Sequence, residues 1–116
     1  MSMTLLITLF ILSGVFLAVL GIPMALGRVR PNSLYGFRTT ATIEDPDLWY
    51  PANRYAGQRM IEAGVVLALA SAALAFLGLS VDGYAIACTA FLLAAMAIVL
   101  IRSFRFLRRL RITRSA

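Results

Sequence analysis

The chain has 116 residues, 61% of them hydrophobic, a mean hydropathy of +0.88 and a net charge of +6 carried entirely by arginine. A soluble domain is about 45–50% apolar, and here the apolar residues gather in long runs, which is the membrane signature. There is no histidine and a single cysteine, Cys88. Zinc, haem and Cys–His or Ser–His chemistry therefore lose their usual ligands and bases, no intrachain disulfide can form, and the chain reads as a non-enzyme without metal or cofactor.

The predicted architecture is all-α: one integral membrane domain over 1–116 with three transmembrane helices. The first span, about 3–26, has no charged side chain across 24 residues, enough to cross a hydrocarbon core of about 30 Å. It is too long for a signal peptide and lacks both a basic start and an A-x-A site. Pro23 should kink or end it. A loop, 27–59, follows, then spans at about 60–79 and 84–103. Ser80 to Gly83 separate these two, and Asp82-Gly83 is a turn signal, so a tight helical hairpin is expected. Gly64, Ala68 and Ala72 recur every four residues, as do Ala90 and Ala94, a spacing that lets helices approach closely in lipid. The expected use is packing within the hairpin, with a homo-oligomer face as the alternative.

Arginine counts set the orientation. The central loop region Arg28–Glu62 carries five arginines, the tail 102–116 carries six and the hairpin turn none. All polar segments then agree on an N-terminus outside and a C-terminus inside, with a structured loop on the cytoplasmic side.

The stretch Arg28–Glu62 also holds four of the five acids, three of the four prolines and the only tryptophan. Pro31-Asn32 opens it with an extended or turned backbone, and Gly36 permits a positive φ or a close approach. Asp45, Pro46 and Asp47 read as a helix start, with Asp45 as cap and Pro46 at the first position; Thr42 with Asp45 is an alternative capping box. A short interfacial helix near 46–50 should kink at Pro51, after which a continuous helix from about Ala52 enters the membrane. Trp49, Tyr50 and Tyr55 would form an aromatic belt. Glu62, the acid nearest the bilayer, needs a cationic partner, which Arg59, Arg38 or Arg54 can supply. The polar cluster reads either as a clamp pinning the loop or as a recognition site for a lipid headgroup or peptide.

In the tail, Arg102, Arg105, Arg108 and Arg109 share one helical face and Phe104, Phe106, Leu107 and Leu110 the other. This basic amphipathic extension of the third span is expected to anchor on anionic lipid; a regulatory protein is the next candidate partner, and nucleic acid is not expected.

The ordered motif of Pro31, Asn32, Gly36, Arg38, Thr39, Thr42, Trp49, Asn53, Arg54 and Gly57 resembles the SdpI family of bacterial integral-membrane proteins, named for immunity to a secreted peptide toxin, the sporulation-delay protein. The resemblance covers roughly 27–67. It implies a helical, non-enzymatic protein of the bacterial cytoplasmic membrane that protects the cell from a peptide toxin and has a possible signalling role. It also implies unbroken helix around Pro51, and the founding type has about twice as many spans. The alternative function is a small accessory or assembly subunit of a larger membrane complex.

Overall fold

A computed structural model describes residues 2–115, which form four helices and, among the described residues, no strand. Three of the four are long and apolar enough to cross a membrane. Helix α1, Met3–Ala25, starts on Ser2, whose side chain accepts from the Leu5 amide. Pro23 lies inside its last turn. The helix ends in a Schellman turn, in which the Arg28 amide donates to the Pro23 carbonyl and the Gly27 amide to Met24, with Gly27 at φ +71°.

Helix α2, Thr40–Glu44, is a single turn that the sequence reading did not separate. It has its own capping box, with Thr39 and Thr42 reciprocally bonded. This replaces the Thr42–Asp45 box weighed above, because Asp45 serves the next helix. Helix α3, Pro46–Leu74, begins as expected, with Asp45 accepting from the Asp47 amide and Pro46 in the first turn. The short helix expected at 46–50 is not a separate element: α3 is one helix of 29 residues that continues through Pro51. Proline there removes only the bond to the Asp47 carbonyl, and Asp47 is on the water-exposed first turn, where solvent can take over that role.

The hairpin turn also lies earlier than the Asp-Gly pair suggested. The chain turns through Ala75–Ser80, with Gly78 at φ +69°. Ser80 caps α4, Val81–Ser115, by accepting from the Gly83 amide. Asp82 and Gly83 are thus in the first helical turn, where the Asp82 carboxylate suits the positive end of the helix dipole. Helix α4 runs without interruption into the arginine tail. The molecule measures 54 × 23 × 19 Å, its long dimension matching a 35-residue helix at about 1.5 Å per residue.

The closest seam joins α1 to α3, not α3 to α4 as the small-residue spacing had suggested. A Cβ added at Gly14 would meet the Gly64 carbonyl oxygen at 2.6 Å and the Ala68 nitrogen at 2.7 Å. One added at Gly57 would meet the Ala25 nitrogen at 2.5 Å and the Gly21 oxygen at 2.6 Å. Both helices therefore place glycine seven residues apart along an antiparallel contact, backbone against backbone, the small-residue packing that lipid favours. Helix α4 contacts α3 through larger side chains. At the turn end the buried Tyr84 hydroxyl donates to the Ser71 carbonyl at 2.9 Å and the ring meets Phe10 edge-on. At the other end Tyr55 stacks on Phe106 at 4.4 Å.

Candidate functional site

The stretch between α1 and the membrane part of α3 folds into a compact cap over one end of the bundle. Its core is Met24, Phe37, Leu48, Ala52, Ala56 and Leu107, all buried. The aliphatic side of the tail therefore packs on the cap: Leu107 enters this core, and Phe104 meets Phe37 edge-on at 5.0 Å. The four arginines Arg102, Arg105, Arg108 and Arg109 are exposed, Arg102 toward Glu62 of α3 and Arg108 beside Thr39–Ala41 of the cap.

Inside the cap one side chain organises the loop. Asn53, 2% exposed, accepts from the Phe37 amide at 2.6 Å and donates to the Phe37 carbonyl at 3.2 Å and the Trp49 carbonyl at 3.0 Å. It pairs with the loop backbone as a neighbouring strand would, across 16 positions of sequence. Thr42, fully buried, adds a second tie by donating toward the Phe37 and Thr39 carbonyls, both at 3.1 Å. Trp49, also fully buried, donates its indole N–H to the Val29 carbonyl at 2.8 Å. It is a core residue, and this replaces the aromatic-belt role expected for it.

The remaining motif residues fit around these ties. Pro31 leads into Asn32, whose Oδ1 accepts from the Leu34 and Tyr35 amides at 2.9 and 2.7 Å and whose Nδ2 donates to the Arg30 and Tyr35 carbonyls at 2.7 and 3.0 Å. Gly36 sits at φ +116°, and a Cβ there would lie 2.6 Å from Asn53 Oδ1 and 3.1 Å from the Trp49 ring. Glycine is thus required twice, by conformation and by space. Thr39 caps α2 and Gly57 belongs to the α1–α3 seam. Arg54 lies over Gly27, its Nη2 2.9 Å from where a Cβ would stand. Arg38 is exposed beside Phe37.

Glu62 takes the partner it needed from Arg59, with Nη2–Oε1 at 2.7 Å, and a second from Arg102 on α4 at 3.9 Å. Arg59 also lies over the Tyr55 ring, 4.9 Å from its centre. Two tail residues that the helical wheel left out, Arg111 and Arg114, fall on the side facing the cap. Arg114 bonds Asp45 and lies 3.5 Å from Asp47, closing the tail onto the start of α3. That guanidinium, aided by the Asp47 amide, holds the Asp45 carboxyl below its ordinary range. Among the described residues no group of three or more His, Cys, Asp or Glu can hold a metal ion.

Beside the cap lies a groove of about 460 Å³ between α1, α3 and α4. Its walls include Leu20 and Met24 of α1, Met60 of α3, and Met96 and Leu100 of α4, with Tyr35–Arg38 at its rim. Two hydroxyls on this lining, Tyr35 Oη and Ser103 Oγ, are buried without a hydrogen-bond partner. Burial also pushes the Tyr35 hydroxyl pKa up.

Known proteins place this arrangement. The chain is 49% identical over 37 residues to a Bacillus subtilis (strain 168) protein described as uncharacterized protein YfhL, a match covering 32% of this chain and 34% of that protein. The aligned part is thus about a third of the relative's length. No solved structure matches. The profile of the SdpI/YfhL protein family matches residues 28–103, which take in most of the cap, α3 and α4 as far as Ser103. On that match the chain belongs to the SdpI/YfhL protein family.

Proposed function

We propose that this protein is a non-enzymatic binder of the bacterial cytoplasmic membrane that confers immunity to, or sequesters, a membrane-active peptide toxin, with its N-terminus outside and the cap in the cytoplasm. The supporting observation is the groove between α1, α3 and α4. It has methionine on all three helices, Met24, Met60 and Met96, and methionine surfaces adapt to varied apolar ligands. Its two unpaired hydroxyls offer hydrogen bonds to a peptide backbone. Its lining reaches from Leu20 and Met96, in the apolar spans, to Arg38 at the cap. A peptide already dissolved in the bilayer can therefore enter from the side and need not cross to the cytoplasm first.

In this reading most of the ordered motif builds the groove, and only Gly36 and Arg38, at its rim, can meet the toxin. The test is survival of a bacterial strain challenged with membrane-active peptides made by its neighbours. Deletion should sensitise the strain, and restoring Met96→Trp at normal expression should not rescue it, because the new ring fills the groove. Unchanged survival on deletion and overexpression across candidate peptides would leave the reading without support. Constant co-purification of a larger membrane complex in mild detergent would favour the accessory-subunit reading.

A further inference from the structure

A second groove, of about 280 Å³, is lined by α3 and α4 alone. Ala63, Ala94 and Ala95 leave it room, and Val66, Phe91 and Ile98 make it apolar. From Arg59 to Val66 on α3 and from Phe91 to Arg102 on α4 it follows the helices for about 10–16 Å at ~1.5 Å per residue. Arg59 and Arg102 close the same end, because the helices are antiparallel, and that end lies beside the cap.

The charge at this end is not balanced within the chain. Two guanidiniums share one carboxylate, Glu62. The other acids are elsewhere: Asp45 and Asp47 at Arg114, Glu44 on α2, and Asp82 at the far end of α4. Arg59 keeps one further donor, Nε, buried and without a hydrogen-bond partner. An apolar groove between membrane-spanning helices, ending in a surplus cation at the cap side, has the chemistry of an amphiphile with a hydrocarbon chain and a negative headgroup. We propose that the α3–α4 groove is a binding site for an anionic phospholipid, one acyl chain lying between Ala63, Val66, Phe91 and Ala94 and the phosphate resting on Arg59 and Arg102. The phosphate takes the unused donors of Arg59 and the exposed face of Arg102, and planar guanidinium suits that contact. Bound there, the lipid ties α4 to α3 at the depth where the cap begins. This site is separate from the groove proposed for a toxin, and either proposal can fail alone.

The test is native mass spectrometry of the full chain in detergent, titrated with phosphatidylglycerol or phosphatidylcholine of equal chain length. The wild type should prefer phosphatidylglycerol by about tenfold, and Arg59→Gln with Arg102→Gln should remove that preference. Arg30→Gln, at an exposed cap arginine outside the groove, should retain it. Arg59→Gln also releases Glu62, so a second variant keeps both arginines: Ala94→Trp, which fills the groove, should lower phosphatidylglycerol binding as far as the double variant. Equal binding of the two lipids by the wild type would overturn the proposal, as would equal loss in Arg30→Gln or full binding by Ala94→Trp.

Discussion

The membrane half and the cap of this molecule are held together by opposite means. In the membrane half, α1 and α3 touch through what they lack: glycines at 14, 21, 57 and 64 bring backbone against backbone. In the cap, the contacts are supplied by side chains, with Asn53, Thr42 and Trp49 buried and bonded to loop carbonyls and amides. Lipid offers no hydrophobic drive between helices, so close approach and dispersion must do the joining there. The cap has no regular partner for its loop backbone, so side-chain amides and hydroxyls must satisfy it. The ordered motif residues are concentrated in the cap, and three of them, Thr42, Trp49 and Asn53, are buried in its interior. Their pattern marks how the cap is built, and the surfaces left for recognition are the grooves beside it.

The sharpest way to break this contrast is to add volume to the seam. Gly64→Leu or Gly57→Leu puts side-chain atoms where backbone already is, and α1 must leave α3. The expected loss is above about 3 kcal/mol, seen as failure to recover monodisperse protein in mild detergent. Cap variants should cost less and leave the helices paired. Asn53→Ala strands the buried Phe37 amide and should cost about 1–3 kcal/mol in thermal denaturation followed by circular dichroism. Gly36→Ala should cost a similar amount, about 1–3 kcal/mol, through its positive φ, and combining it with Asn53→Ala should cost less than the sum, because the added methyl abuts Asn53. Trp49→Phe removes one hydrogen bond and keeps most of the packing, for about 1 kcal/mol.

The smallest effect belongs to Arg114→Ala, which opens an exposed pair. Its signature is in pH. The Asp45 carboxyl lies below its ordinary range in the folded state, so its stabilising contribution is present at neutral pH and is lost as pH falls through that lowered value. A thermal midpoint measured from pH 7 down into the carboxylate range should decline more steeply for the wild type than for Arg114→Ala.

Most of the architecture was legible in the chain because long apolar runs and charge gaps have few other meanings. The start of α3 at Asp45-Pro46 was legible for the same local reason. The misplaced features had either a competing local signal or a non-local cause. Asp82-Gly83 looks like a turn, but Ser80 caps the helix two residues earlier and Gly78 takes the positive φ. Pro51 looks like a boundary between two helices, but its missing bond falls on a solvated first turn. The small residues of α3 were matched to the nearest helix in sequence, α4, while Gly14, Ala18, Gly21 and Ala25 of α1 carried the complementary spacing. Asn53 could be picked out by its place in the motif, but its bonds to Phe37 cross 16 positions, and no periodicity reports such a contact. The inward side of the tail was hidden because Arg111 and Arg114 sit on it, and arginine reads as surface.

The most direct test of the claim that the ordered residues hold the cap is amide hydrogen exchange across the chain in the wild type and in Asn53→Ala. The account predicts that exchange at 34–43 accelerates by about tenfold or more, as loss of roughly 1.4 kcal/mol of local stability requires, while 57–71 in the α1–α3 seam keeps its protection. Unchanged exchange at 34–43 would contradict it, because Asn53 would then not be what holds the loop.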